Sequence, residues 1–546
     1  MKRITAFILL LVIWSAAIPL AAQTRNRPAA TTSVARFGNT DGVTAAQLRN
    51  FLEFIASDDL EGRDTPSRGL DIAALFIASH LKAWGLKPGG DDGTYFQKVP
   101  LKRNRIDAAG TSLELNGRSF NYGDDFLANY NAGTVPPSKI VYVGHGWVVK
   151  SKNVNAYDGI DVKDKIVVVA NSLPNGVTFQ DLQQGTPGVD WFSPPAYAQT
   201  HGARAVIQFP NFNTIASWDG LRMAQTETGS VSFGSGSAIK IPIITAHPRL
   251  LASLFAGEKL SGSAVFQRIA QGEFGDPMEF GAKSMSLRVG VKTEETFTKN
   301  VIGILEGSDP ALKNEYVAIG AHYDHVGINP NAPGPDKIYN GADDDGSGTV
   351  SVLAMAEALS KSAQKPKRSI LFIWHAGEEK GLWGSEYFTD HPTVPITSII
   401  TQLNIDMIGR YQNPGDENHP KNKALPKPNE IFLIGSKMMS TELGEVSEAT
   451  NKAFLNLSFN YKYDDPNDPE RFFYRSDHFN YARKGIPIIF YMDGSHADYH
   501  QVSDSVEKIN FEAMEKTVRT ILATGWELAN RATRPKVDKP LKLDNN

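Results

Sequence analysis

The sequence contains no cysteine among its 546 residues. Without thiols the chain has no disulfide bonds, no thiolate metal ligands and no cysteine nucleophile. Neither charge sign is in large excess, since 56 Lys and Arg face 60 Asp and Glu, for a net charge of -4. With no long basic run as well, this balance argues against a nucleic-acid partner. Stability must therefore come from the apolar core, and the chain length predicts two or three domains.

Apolar runs long enough to suggest a membrane or export segment are also scarce, and the N-terminus has the one candidate. Residues 1–22 combine the basic pair Lys2 and Arg3, an apolar stretch and small residues before Gln23. This pattern predicts a secretory signal peptide, and hence an exported bacterial protein, periplasmic or secreted. The alternative, an uncleaved membrane anchor, is disfavoured because the stretch is short and Pro19 interrupts it. We therefore expect no stable membrane insertion after cleavage of the signal.

The C-terminal half repeats one pattern, in which an apolar, β-branched run stops at or just before acidic residues or a histidine. The runs are 317–321 before His322, 370–374 before Glu378 and Glu379, 403–405 before Asp406, and 486–491 before His500. Continuous apolar runs are typical of strands buried on both faces by helices. In such α/β sheets ligands bind at the carboxyl ends of the strands, so we expect these polar residues to meet at one rim.

The residue types at this rim indicate metal chemistry. The candidate ligands are two imidazoles and three carboxylates: His322, Asp344, Glu379, Asp406 and His500. Nitrogen and oxygen donors without sulfur suit catalytic zinc, or less often manganese or cobalt. Five ligands exceed the usual three of one catalytic zinc, but they serve two ions if one carboxylate bridges. Glu378, next to a ligand, would then be the general base. Each motif alone is weak, and their joint occurrence carries the inference.

These motifs read VAIGAHYDHVG, NGADDDGSG, IWHAGEEKGLWGSEYF, LNIDMIG and DGSHADYHQVSD. Over residues 315–504, and again over 58–97, the chain resembles the co-catalytic di-zinc exopeptidases of metallopeptidase family 28, whose best-known members are aminopeptidases. The resemblance implies a three-layer αβα domain with a mixed, mostly parallel sheet and two zinc ions per chain. It implies that His322 and Asp406 bind one zinc, that Glu379 and His500 bind the other, and that Asp344 bridges them.

The resemblance also implies roles for residues around the ligands. Glu378 matches the family's catalytic base, and Asp324 matches a carboxylate that orients the first histidine. Tyr499 matches a residue that hydrogen-bonds the developing oxyanion in some members. Arg475 is similar to an arginine that contacts substrate in some members. The family often has a cis peptide after the bridging aspartate, here between Asp344 and Asp345.

The texture of the sequence changes between about residues 135 and 270. Short β-rich runs separated by Gly, Pro and Asn resemble the protease-associated (PA) domain, which many larger members of the family carry as an insert. The predicted organisation is a signal peptide at 1–22, a flexible lead-in at 23–43, a first catalytic part at 44–134, a PA insert at 135–270, a second catalytic part at 284–530, and a mobile tail at 531–546.

The predicted function is exported aminopeptidase activity on peptide substrates, with three alternatives. A carboxypeptidase of the same fold would need cationic groups to receive a terminal carboxylate. A glutaminyl cyclase holds a single zinc, and the presence of His322 favours two. A non-catalytic, receptor-like binding protein should have lost ligands or the base, whereas here all six positions are filled.

Overall fold

The computed structural model describes residues 37–170, 172–234, 238–465 and 467–541. The predicted signal peptide, most of the lead-in and the last five residues of the tail lie outside the described residues. In the described part of the chain, no helix combines the length and apolar character that crossing a bilayer requires.

The α-helices of the described residues are distributed over the whole chain. They are α1 Ala45–Ile55, α2 Arg68–Ala83, α3 Phe179–Gln183, α4 Pro194–Thr200, α5 Phe212–Ala216, α6 Trp218–Met223, α7 Pro248–Leu254, α8 Gly262–Ala270, α9 Gly348–Ser360, α10 Trp383–Asp390, α11 Thr441–Ala453, α12 His478–Ala482 and α13 Phe511–Asn530.

The β-strands alternate with these helices in the second half of the chain. They are β1 Lys87–Pro88, β2 Phe96–Ile106, β3 Ser112–Leu115, β4 Arg118–Asn121, β5 Phe126–Ala128, β6 Gly133–Ser138, β7 Ile140–Tyr142, β8 Val148–Val149, β9 Val154–Asn155, β10 Ile166–Val169, β11 Trp191–Phe192, β12 Ala205–Gln208, β13 Ser230–Phe233, β14 Ile243–Ala246, β15 Met278–Glu279, β16 Met285–Val289, β17 Val291–Leu305, β18 Tyr316–His322, β19 Gly327–Ile328, β20 Ile338–Tyr339, β21 Ser369–His375, β22 Ile399–Ile405, β23 Glu430–Ile434, β24 Ser458–Asn460 and β25 Ile488–Met492.

The largest sheet follows the order β13-β2-β17-β21-β18-β22-β25-β23-β24, with β1 paired to β17. Its central strands β21, β18, β22 and β25 are parallel neighbours. Val317 and Ile319 of β18 pack into the apolar cluster on one face, which includes residues of α1, α2, α9 and α13, and Ala318 packs into the cluster on the other. Burial on both faces explains the continuous apolar runs and confirms the predicted αβα fold.

The first two helices form where the sequence predicts them. The side chain of Thr44 accepts a hydrogen bond from the backbone N–H of Gln47, and Ser67 caps α2 through Leu70 in the same way. Gly85 follows α2 with φ +75°, the left-handed conformation expected after a helix end. These two helices pack on the same face of the sheet as α9.

A second sheet, in the order β15-β7-β10-β12-β14-β5, forms a separate apolar core within the middle of the chain. It extends beyond the predicted limits of 135 and 270, because β5 precedes the first limit and β15 follows the second. The long strands β2 and β17 lead from the main sheet to this unit and remain paired as far as Ile106 and Val291. Conversely, β13 lies within the predicted limits but pairs with β2 on the main sheet. Composition alone does not show that a strand from the middle of the chain pairs with the main sheet.

Candidate metal centre

The carboxyl ends of three neighbouring parallel strands deliver most of the candidate ligands. His322 is the last residue of β18 and pairs in register with His375 at the end of β21, just before the Glu378–Glu379 turn. Asp406 directly follows β22. Asp344 lies in the turn Ala342–Ser347 that leads into α9, where its own backbone is not helical, and the Asp344–Asp345 peptide is cis as the resemblance implied.

The five predicted ligands come together in two groups that share Asp344. In the first group, His322 Nε2 lies 3.3 Å from Asp344 Oδ1 and 3.5 Å from Asp406 Oδ1. In the second group, His500 Nε2 lies 3.0 Å from Asp344 Oδ2 and 3.0 Å from Glu379 Oε2. One oxygen of Asp344 therefore faces each group, which is the arrangement a bridging carboxylate requires.

The second group contains a residue that the sequence analysis missed. His325 Nδ1 lies 2.8 Å from Glu379 Oε1 and 3.7 Å from Asp344 Oδ2. The signal for it is the second histidine of the HYDH motif, three residues beyond His322. It follows the strand rather than ending it, so the strand-end pattern did not select it.

The donor atoms of both groups are those of a metal site. His322 Nε2 and Asp344 Oδ2 are buried and make no hydrogen bond in the described structure. Buried polar atoms of this kind normally have a partner, because leaving them unpaired costs free energy. Imidazole nitrogens and carboxylate oxygens without thiolates suit zinc, so a pair of zinc ions fits the residues present.

The electrostatics of the site favour cations. Burial on its own would lower the pKa of His322, but the carboxylates of Glu378 and Asp406 outweigh burial and raise it well above its ordinary value. Burial likewise opposes protonation of His500, yet Asp344 and Glu379 raise its pKa to about 10. In the absence of metal, both imidazoles therefore favour the protonated form, because the negative charges of the surrounding carboxylates stabilise it.

Glu378 lies at the edge of the centre and in neither ligand group. Its Oε2 is 3.8 Å from His322 Nε2. Burial raises the pKa of Glu378 well above its ordinary value; His322 opposes this shift, and the negative charges of Asp406 and Glu379 add to it. A mostly enclosed carboxylate with a raised pKa, next to the place where water would be activated, has the properties of a general base.

Asp324 links the first strand to the loop that carries Glu378. Its backbone carbonyl lies 3.1 Å from His322 Nδ1, closer than its carboxylate Oδ1 at 3.6 Å. The carboxylate accepts hydrogen bonds from the Thr65 hydroxyl at 2.9 Å and from the Glu378 N–H at 3.2 Å. Asp324 thus holds the imidazole mainly through its carbonyl, and its carboxylate holds the neighbouring loops.

The other two aspartates of the acidic run fix the backbone rather than face the ligand groups. Asp345 accepts hydrogen bonds from the N–H groups of His322, Gly348 and Met407. Asp343 accepts from the N–H of Gly409 and lies 3.1 Å from His496 Nε2.

Arg63, from the loop between α1 and α2, is the cation beneath the ligand loops. It is fully buried and donates to the carbonyls of Tyr323, Asn340 and Gly341. Burial lowers its pKa to about 10, against the pull of Asp324 and other carboxylates, so it stays charged at neutral pH. The sequence analysis placed this loop near the site without assigning Arg63 a role.

A cavity of about 30 Å³ opens beside the centre and brings in the two remaining predicted residues. It is lined by Asp344, Glu378, Asp406, Met407, Phe472, Arg475, Phe490, Met492, Ser495 and Tyr499. The Tyr499 ring stacks on His500 with ring centroids 4.0 Å apart. The Arg475 guanidinium lies over the Phe472 ring, 4.8 Å from its centroid. Apart from the ligands, the base and Arg475, the lining is largely apolar.

Comparison with known proteins agrees with this geometry. Residues 300–525 match the profile of peptidase family M28. A "probable leucine aminopeptidase 2" of Aspergillus oryzae is 28% identical over 258 residues, which cover 43% of this chain and 45% of that protein. A "Probable zinc metalloprotease" of Pyrenophora teres f. teres is 26% identical over 284 residues, which cover 45% of this chain and 55% of that protein. The chain spans about half the length of these curated relatives.

Solved structures show the same fold over most of the chain. A zinc aminopeptidase from Bacillus subtilis has a TM-score of 0.51 and 19% identity, covering 92% of this chain and 98% of that one. An aminopeptidase from an Aneurinibacillus species has a TM-score of 0.50 and 18% identity, covering 91% and 97%. The matched segment contains every residue of both ligand groups together with Glu378. The match to peptidase family M28 thus covers the segment of this chain that forms the candidate metal centre.

Proposed function

We propose that this protein is an aminopeptidase that uses two zinc ions to hydrolyse the N-terminal residue from peptides, with Glu378 as the general base. One observation carries the proposal: two ligand groups share Asp344, and the largely enclosed side chain of Glu378, 11% exposed, lies beside them without belonging to either. The names of the relatives, leucine aminopeptidase and zinc metalloprotease, support the same reaction class.

The residues present divide the work of hydrolysis. Zinc bound at the two groups would supply Lewis-acid polarisation of the scissile carbonyl and would lower the pKa of the attacking water. Glu378 accepts a proton from that water and returns it to the amine that leaves. The carboxylate of Asp324 keeps Glu378 in place by accepting a hydrogen bond from the backbone N–H of Glu378. Tyr499 lines the same cavity, and in this proposal its hydroxyl donates to the oxygen that becomes negative.

The cavity also favours a particular kind of terminal residue. The cavity is too small to enclose a side chain, but Phe472, Phe490, Met407 and Met492 line it and offer an apolar surface that favours contact with an apolar terminal residue. The carboxylates at its inner end complement a free α-ammonium group. Arg475, by contrast, is the cationic side chain among the described lining residues, and it is the group that a carboxypeptidase would use for a terminal carboxylate.

Two matched pairs of substrates test the proposal. The first pair is leucyl p-nitroanilide and its N-acetylated form, and the second is a dipeptide with its C-terminus free or amidated. We expect that acetylation abolishes hydrolysis and that amidation does not. Removal of metal with a chelator should stop the reaction, and zinc should restore it. Hydrolysis that needs a free C-terminus instead would replace the proposal with a carboxypeptidase, and no hydrolysis of any peptide by the zinc-loaded protein would leave a binding protein.

We also propose that the protein is exported. The basic pair and apolar stretch within residues 1–22 support this proposal. Cell fractionation of the native host tests it, because a protein found only in the cytoplasm would contradict export without bearing on the catalytic proposal.

A further inference from the structure

His325 is a buried histidine that the family pattern leaves without a role. Its side chain is fully buried, and neither ring nitrogen makes a hydrogen bond of acceptable geometry in the described structure. An imidazole buried without a hydrogen bond is costly, and the Glu379 carboxylate 2.8 Å from Nδ1 gives a contact without hydrogen-bond geometry. The same condition holds for His322 Nε2, which points into the first ligand group. His325 therefore shares with the candidate ligand His322 a buried ring nitrogen that has no hydrogen bond.

The distances around Nδ1 of His325 are those between donors on a common ion. Nδ1 lies 2.8 Å from Glu379 Oε1 and 3.7 Å from Asp344 Oδ2. It falls with His500 and these carboxylates in a set whose donor atoms all lie within 4.8 Å of one another. Donors at about 2.0–2.1 Å from a zinc ion are separated by distances in this range.

The backbone around His325 leaves room for its imidazole ring beside the second ligand group. The N–H of His325 donates to the carbonyl of Arg63 at 3.2 Å, which fixes the start of the side chain. Gly341 packs against the ring, and a Cβ at this position would lie 2.5 Å from Cγ of His325. Gly341 also has φ +55°, a conformation that favours glycine. Only a residue without a side chain lets the imidazole lie so close to the segment that carries Asp344.

We propose that His325 is an additional nitrogen ligand of the ion held by Glu379 and His500. That ion then has two imidazoles and two carboxylates, whereas its neighbour has His322 with Asp406 and the shared Asp344. The inference rests on the proposed two-metal centre but not on the reaction that the centre performs. It makes the two sites unequal, with the ion at His325 and His500 bound by one more protein group.

Zinc X-ray absorption on the fully loaded protein tests the ligand count directly. We expect scattering from three imidazoles shared by the two ions in the wild type, and from two in His325→Ala. Two imidazoles in both proteins would overturn the proposal and leave His325 as a positioning residue in contact with the carboxylate of Glu379. Far-ultraviolet circular dichroism of each variant establishes that it is folded before its metal is counted.

Metal retention against a graded chelator provides the second measurement, with His322→Ala as the matched control. Loss of partners outside the ligand shell typically weakens metal binding by about 10–100-fold. We expect His325→Ala to weaken one of the two ions by more than about 100-fold, and His322→Ala to weaken the other. A decrease of about 100-fold or less for His325→Ala would overturn the proposal, because that is the range of a residue outside the ligand shell. If His325→Ala does not fold, His325→Gln gives the same measurement with a side chain of similar volume.

These outcomes are separate from those of the catalytic proposal. A wild-type protein that binds two ions through three imidazoles but hydrolyses no peptide contradicts the proposed function and leaves this inference intact. An active enzyme with two imidazoles on its ions does the reverse.

Discussion

The backbone N–H of Glu378 donates a hydrogen bond to the carboxylate of Asp324, with 3.2 Å between N and Oδ1. The same carboxylate oxygen lies 3.6 Å from Nδ1 of His322. Asp324 therefore contacts both a candidate metal ligand, mainly through its backbone carbonyl, and the candidate base, through its carboxylate. Thr65 fixes the second oxygen of Asp324 from a third part of the chain.

Asp324→Asn should weaken both functions at once. We expect zinc affinity at the His322 group to fall about 10–100-fold, because the change removes the negative charge 3.6 Å from Nδ1 that raises the basicity of the imidazole. Turnover of the reloaded enzyme should fall as well, since the amide has one accepting oxygen where the carboxylate has two and cannot accept from both Glu378 N–H and Thr65. Thr65→Val, which removes one hydrogen bond to the same carboxylate, should give a smaller effect in the same direction. A zinc-competition titration measures both, and wild-type affinity in Asp324→Asn would contradict the assignment.

Glu378→Gln should separate catalysis from metal binding. The amide retains the shape of the side chain but cannot accept a proton, so we expect kcat to fall about 10²–10⁴-fold. Metal content should remain that of the wild type, because Glu378 lies outside both ligand groups. Glu379→Gln is the matched neighbour, and it should lose metal as well as activity. Unchanged turnover in Glu378→Gln would refute the role of the base.

Most of the site could be predicted from the sequence because its residues stand at strand ends. His322 and Asp406 follow buried strands directly, and parallel neighbours bring such ends to one edge. His325 and Arg63 were not predicted, for different reasons. His325 depends on the close approach of Gly341, and Arg63 depends on a loop packed from outside the sheet. Neither relation has a periodic pattern in the chain.

The fold shows the same division. The central strands have continuous apolar runs, so their existence and type were predictable, and helices such as α2 carry clear caps at both ends. The limits of the second unit could not be predicted, because β2 and β17 continue as one pair from the main sheet towards it. Nothing in the local sequence of these two strands indicates where the main sheet ends and the second unit begins.

The metal-free protein should lose stability as the pH rises above neutrality. The folded protein raises the pKa of His322 well above its ordinary value and that of His500 to about 10. The stability these groups contribute is complete below about pH 6.5, their unfolded value, and is lost as the pH approaches the folded values. The raised pKa of Glu378 acts in the same direction.

Thermal unfolding with a chelator, compared at pH 6.5 and about 9.5, tests this pH dependence. We expect a lower Tm at the higher pH for the metal-free protein. The zinc-loaded protein should show a smaller fall, because zinc takes the place of the protons on the imidazoles. An equal or higher Tm at about pH 9.5 without metal would contradict the charges assigned to the two histidines.

Arg63→Met should destabilise the fold itself. The change leaves the carbonyls of Tyr323, Asn340 and Gly341 without their buried donor. At about 1–3 kcal/mol for each unpaired buried group, the free energy of unfolding should fall by roughly 3 kcal/mol or more. Urea unfolding of the zinc-loaded protein measures it. Arg288→Met, at an exposed position in β16, is the control and should stay within about 0.5 kcal/mol of the wild type. A loss for Arg63→Met as small as that of the control would show that the carbonyls find other donors.

Tyr499→Phe should reduce kcat while leaving metal binding intact. Burial, together with the charges of Asp344 and Glu379, raises the pKa of Tyr499, so its hydroxyl keeps a proton that it can donate. The Phe variant preserves the ring that stacks on His500 and removes only the hydroxyl. If the hydroxyl stabilises the oxyanion, kcat falls about 10²–10³-fold and KM changes little, because the interaction is made only in the transition state. A rise in KM at constant kcat would instead assign Tyr499 to ground-state binding of the peptide.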